Sequence, residues 1–150
     1  MTVRIIRKFD DEVLRSKAKE VKKIDESIKK LITDMVDTMY EAEGVGLAAP
    51  QIGILKKVAV IDVGDGIMHL INPVIIEEEG EEINVEGCLS FPGVFGEVKR
   101  AAKVIVEAQD LTGEKQIIKG SGLLARALQH EIDHLNGIVF IDKAIRFIDS

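Results

Sequence analysis

An α+β fold in a single domain spanning residues 1–150 is what the sequence predicts, and three observations predict it. Two segments carry apolar residues at helical spacing, several short β-branched runs bounded by turn residues lie between them, and no internal repeat, low-complexity stretch or linker divides the chain. At 16.5 kDa the chain is long enough to bury roughly 68–70% of its unfolded surface. Its core must be aliphatic, because 46% of residues are apolar while there is no Trp and a single Tyr.

Taken in order, Ile28, Leu31, Ile32, Met35, Val36 and Met39 recur at three- and four-residue steps. They predict a helix from Asp25 to Glu43, with Asp25 as N-cap and Gly44 as stop. The following GVGLAAPQIG, Gly44 to Gly53, combines three glycines with a proline, a composition suited to a loop where backbone and ligand come close. Val58 to Val63 and Ile67 to Ile76 read as strands about Gly64-Asp65-Gly66. The acidic run Glu77 to Glu82 reads as a solvated turn. Lys103 to Gln109 and Glu114 to Lys119 form a further strand pair, with Val104, Val106 and Ala108 on one buried face. Gly120-Ser121-Gly122 then opens a second helix with Ser121 as N-cap and Gly137 as stop, and its stripe is Leu123, Ala127, His130 and His134.

Composition excludes several functions. The net charge is -6, and 20 basic residues are scattered among 26 acidic ones, so no electropositive stripe for a nucleic acid is present. The longest apolar runs fall far short of the roughly 20 residues of a membrane helix. Met1 to Phe9 lacks the apolar region of a signal peptide. A lone cysteine, Cys88, excludes an internal disulfide and points to a reducing, cytoplasmic setting.

Chemistry concentrates in His130-Glu131-Ile132-Asp133-His134. On a helix the i and i+4 imidazoles share one face and can hold one ion at ~2.0–2.1 Å, while Glu131, one residue round, is placed to act as general base on a bound water. A third ligand is needed. The position that is histidine in the extended H-E-x-x-H-x-x-G-x-x-H pattern is Phe140, although Gly137 is present, and no glutamate follows Glu131. Asp142 downstream, and His69 and Cys88 upstream, remain as candidates. Cys88 is favoured, because Glu86-Gly87-Cys88-Leu89-Ser90 lets the chain bend beside the thiol and the next backbone N–H.

GVGLAAPQIG, EGCLS and QHEIDHLNG, in this order and at these separations, resemble the signature blocks of peptide deformylases, which remove the formyl group from the initiator methionine of new bacterial proteins. The resemblance spans Gly44 to Gly137. It implies antiparallel strands packed around a central H-E-x-x-H helix, a metal held by Cys88, His130 and His134, and Glu131 as proton shuttle. It further implies that Gln51, through its side-chain amide, and Leu89, through its backbone N–H, donate to the substrate oxygen. The substrate would be an N-formyl-Met nascent peptide and the working ion ferrous iron, with zinc, nickel or cobalt also accepted. Water on that ion, acidified by a residual positive charge, would attack the formyl carbon.

Gly44 and Gly46 leave room for an extended peptide, and Val45 and Leu89 are candidates for an apolar methionine pocket or, equally, for plain core packing. Glu86, Arg100 and Asp133 are candidates for an ion-pair network that orients the histidines, with solvated surface charge as the competing role. His69 has no motif around it and reads as structural or exposed. The chain departs from the resemblance in having Glu12 where a proline is usual, Phe91 where Ile or Val is usual, and only sixteen residues after His134. That last feature puts ribosome docking through a longer C-terminal helix in doubt. Two other classes stand beside this one: a zinc peptidase with Asp142 as third ligand, and a non-enzymatic domain with a closed metal site.

Overall fold

A computed structural model of the chain describes residues 2–148. After a single 3-10 turn at Glu12–Arg15 come α1 (Glu26–Glu41), β1 (Gly46–Ala48), a 3-10 turn (Ala49–Ile52), β2 (Val58–Ile61) and β3 (Met68–Glu79). They are followed by β4 (Glu82–Cys88), β5 (Phe91–Arg100), β6 (Lys103–Gln109), β7 (Lys115–Ser121), α2 (Gly122–Leu135), a 3-10 turn (Phe140–Asp142) and β8 (Ala144–Ile148). The strands build two antiparallel sheets, ordered β1-β2-β3-β6-β7 and β4-β5-β8. The α+β class follows, with α2 in the middle.

Strand periodicity explains that central position. Ala48, Ala59, Ile61, Leu70, Val104 and Val106 share a cluster with Ala125, Leu128, Ile132 and Leu135 of α2, while Leu47, Val58, Val60 and Ile71 join Ile28, Leu31, Ile32, Met35 and Met39 of α1. Neighbouring positions on one strand face opposite sides, so the two helices cover opposite faces of the larger sheet, and all four residues of β2 are buried. Asp25 caps α1 by accepting from the Ile28 N–H at 3.1 Å, as its sequence predicts. A third cluster of Leu14, Phe91, Val98, Val139 and Phe140 ties the smaller sheet to the chain that leaves α2.

Several local expectations are corrected. GVGLAAPQIG is partly regular, forming β1 and the turn after it. Glu77 to Glu79 are strand residues paired with Ile105, Val104 and Lys103 of β6; their side chains are solvated, but the turn itself is confined to Gly80-Glu81. Ser121 stands at the N-cap of α2 as expected, but it also ends β7 and its side chain makes no capping hydrogen bond; Gly122, at φ +57, follows it. Gly137 does stop α2, at φ +75, and a Cβ there would lie 2.6 Å from the Arg15 carbonyl oxygen. Glu12 sits exposed in the first 3-10 turn, away from the centre of the molecule.

The N-terminal segment is fixed by its backbone. The Arg4 N–H donates to Thr38 Oγ1 at 2.8 Å, the Arg7 N–H to the Gln51 carbonyl at 2.7 Å, and the Phe9 N–H to the Ser90 carbonyl at 2.9 Å. It thereby straps together two loops far apart in sequence.

Candidate metal centre

The centre forms where α2 meets the end of β4. One face of α2 carries His130 and His134 one turn apart, and their Nε2 atoms lie 3.2 Å from each other. The pairing of β4 with β5 shifts register between Glu86 and Cys88 and resumes at Cys88–Phe91, and Cys88 Sγ lies 3.3 Å from His134 Nε2. The ligand atoms of Cys88, His130 and His134 all lie within 4.8 Å of one another.

This donor set fits a divalent transition metal: one sulfur and two imidazole nitrogens converge, as in three-ligand catalytic sites. His134 is fully buried, and burial lowers its pKa well below the usual value. His134 Nδ1 and Glu131 Oε1 are both buried without a hydrogen-bond partner. His130 Nδ1 lies 2.9 Å from Glu86 Oε1, which leaves its Nε2 for the centre.

Glu86, Arg100 and Asp133 form the network that competed with solvated surface charge. Arg100 donates from Nε and Nη2 to the two Glu86 oxygens at 2.6 and 2.9 Å, and from Nη1 to Asp133 at 2.9 Å. Glu86 and Arg100 are buried. Burial alone would raise the Glu86 pKa, but hydrogen bonds from His130 and Arg100 overcome it and hold the carboxyl at about 2, fully ionised. Sequence reasoning missed a fourth member, Arg126, which donates to the Glu86 carboxylate from α2. Arg126 stands four residues before His130, but nothing in the sequence marks an arginine at that place for burial.

Around the donors lies a cavity of about 450 Å³, lined among others by Val45, Gly46, Gln51, Leu89 and Glu131. Gln51 is buried; its Oε1 accepts from the Ala48 N–H at 2.9 Å, and its Nε2 lies 3.2 Å from Ser90 Oγ and 3.5 Å from Cys88 Sγ. Val45 is 46% exposed at this cavity, so it does not serve core packing, whereas Leu89 packs half-buried against the α1 cluster. The two glycines answer to side chains: a Cβ on Gly46 would come within 2.5 Å of Glu131 Oε2, and one on Gly44 within 2.6 Å of Leu89 Cδ1. Phe91 packs edge-on between Phe9 and Phe140 beneath the cavity.

Asp142 is engaged elsewhere. It accepts from Arg15 at 2.5 Å and from the Val139 N–H at 3.2 Å, so the zinc-peptidase alternative loses its third ligand. His69 lies half-buried on β3, where burial lowers its pKa, and is not part of the donor group.

A helix that presents H-E-x-x-H to a cysteine from an adjoining strand, within an α+β domain, defines a class: the metal-dependent hydrolases. A family model described as polypeptide deformylase matches residues 3–148. The peptide deformylase of Acetivibrio thermocellus is 64% identical over the whole chain, which covers 88% of that protein. Among solved structures, the Thermotoga maritima peptide deformylase superposes with a TM-score of 0.94 at 47% identity, covering 96% of this chain and 99% of that one. The Synechococcus elongatus enzyme, solved in complex with actinonin, superposes at 0.91 with 46% identity, covering 93% and 78%. The chain belongs to the polypeptide deformylase family, metal-dependent enzymes that remove N-formyl groups from nascent peptides. No helix among the described residues is long and apolar enough to cross a membrane.

Proposed function

We propose that the chain hydrolyses the formyl amide of N-formyl-Met nascent peptides in the cytoplasm, releasing formate. The observation that carries this reading is the convergence of Cys88, His130 and His134 beside the buried carboxyl of Glu131 in a chain of this family. A divalent ion held by those three residues supplies Lewis acidity and an acidified water.

The chain's own groups do the rest. Glu131 takes the proton and delivers it to the departing amine; burial, outweighing the pull of His130 and Arg100, raises its pKa to about 7, where a carboxyl accepts and releases protons at neutral pH. Gln51 Nε2 and the Leu89 N–H donate to the oxygen on which charge grows, each donor being worth about 2.7–4 kcal/mol by analogy with other oxyanion holes. Gly44, Val45 and Gly46 form the wall along which the peptide lies, and Val45 with Leu89 contacts the methionine side chain. Ferrous iron is the working ion on the strength of the family resemblance, and the same donors accept zinc, nickel or cobalt.

The test is formate release from a formyl-Met peptide under anaerobic conditions, with an acetyl-Met peptide as control. Formate from the first and no acetate from the second is the expected result. Equal cleavage of both, or of neither by iron-, nickel- and cobalt-loaded protein, overturns the proposal.

A further inference from the structure

Cys88 and the two histidines belong to different bodies, a strand of the smaller sheet and the helix beneath the larger one. Their spacing therefore depends on what holds β4 and β5 against α2. Two buried guanidinium groups cross that boundary in opposite directions. Arg100 reaches from β5 to Asp133 on α2, and Arg126 reaches from α2 to the sheet. They meet at Glu86, whose other oxygen faces His130 Nδ1.

Arg126 makes more of these connections than its charge requires. Besides the Glu86 carboxylate, its Nη1 donates to the Val98 carbonyl of β5 at 3.0 Å and its Nη2 to the Glu82 carbonyl of β4 at 2.9 Å. Glu82 begins the strand that Cys88 ends, so one planar fork on the helix grips that strand at its start, through Glu82, and near its end, through Glu86. Because Arg126 and His130 are four apart on one face, the group that fixes the strand and the group that binds metal share a single rigid turn.

We infer that Arg126 is a positioning residue that sets the separation of Cys88 from His130 and His134, and with it the retention of the metal. The inference rests on the metal reading given above. It goes beyond the orientation of His130 by Glu86, because it concerns the distance between two structural bodies. Lysine could satisfy one of the three acceptors; methionine would satisfy none and would leave the Glu86, Val98 and Glu82 oxygens short of a donor.

The experiment follows dissociation of Zn²⁺ into excess chelator from the parent, Arg126→Met and Arg126→Lys. In parallel, the rate of Cys88 modification by a thiol reagent is read on the metal-free forms, and Tm by circular dichroism. Leu31→Ala, in the α1 cluster on the far face of the larger sheet, serves as the control for general loosening. Arg126→Met is expected to release Zn²⁺ about 10–100-fold faster than the parent, as other losses around metal ligands do. Arg126→Lys is expected to fall between them, and Leu31→Ala to lower Tm without changing the release rate. Unchanged release in Arg126→Met, or equal acceleration in Leu31→Ala, overturns the inference. If Arg126→Met does not fold, Arg126→Lys decides, and release at the parental rate overturns it. Failure of the parent to bind one Zn²⁺, or retention of Zn²⁺ by His134→Ala, would instead strike the metal reading itself.

Discussion

The two faces of α2 hold the molecule together by different physics. Towards the larger sheet, Ala125, Leu128, Ile132 and Leu135 pack on aliphatic side chains, and stability comes from apolar area removed from water. Towards the smaller sheet, Arg126, His130 and Asp133 meet Glu86 and Arg100, and the contact is a buried network of charge and hydrogen bonds. Apolar packing tolerates small displacements, whereas a charge network is stable only when each member finds its partner. The face on which Cys88, His130 and His134 converge is built the second way.

The largest effect expected lies where the two faces adjoin. Glu131→Gln removes the carboxyl proposed to carry the proton and keeps the shape, and should lower kcat by about 10²–10⁴-fold with one metal ion still bound per chain. Metal analysis beside steady-state kinetics checks it; loss of the ion would make Glu131 a ligand. On the charged face, Glu86→Ala strands Arg100 and Arg126 without their common partner and should cost about 3–5 kcal/mol, measured by denaturant unfolding, together with weakened metal binding. On the apolar side the matching experiment is Met35→Ala in α1, fully buried, which should cost about 2–5 kcal/mol and leave metal binding of the folded protein unchanged. Equal loss of metal in both variants would dissolve the contrast.

Legibility followed the same division. Both helices and β2, β3, β6 and β7 could be read from periodicity, because their inward positions are apolar. β4, β5 and β8 could not, because their polarity is inverted. In β4 the apolar Ile83 and Val85 are exposed while Glu86 points inward, and in β5 the buried positions include Gly96 and Arg100. Ile145 and Phe147 of β8 are exposed too. The convergence of Cys88 with His130 and His134 could be anticipated from the H-E-x-x-H spacing and the glycine beside Cys88, but the burial of Arg126 could not, since a periodicity argument expects arginine in solvent.

The smallest effect concerns a charge cluster on the apolar side. Asp34 of α1 is buried, which by itself would raise its pKa, yet hydrogen bonds from Arg4 and Lys30 bring it below the ordinary 3.8. A carboxyl with a lowered folded-state pKa contributes stability above its unfolded value and loses it as pH falls through the folded one. Tm should therefore drop below about pH 4 through this group, and Asp34→Asn should flatten that part of the profile. An unchanged profile in Asp34→Asn would show that the N-terminal segment is held by its backbone alone.

That segment has a consequence for how the chain is made. Its amides at Arg7 and Phe9 are translated early, yet their acceptors, the carbonyls of Gln51 and Ser90, arrive much later and the histidines of α2 later still. At about 5–20 residues per second, those amides wait several seconds for their partners. The two loops it joins carry Gln51 and Leu89, so the arrangement around Cys88, His130 and His134 can close only after the residues of α2 have followed both loops out.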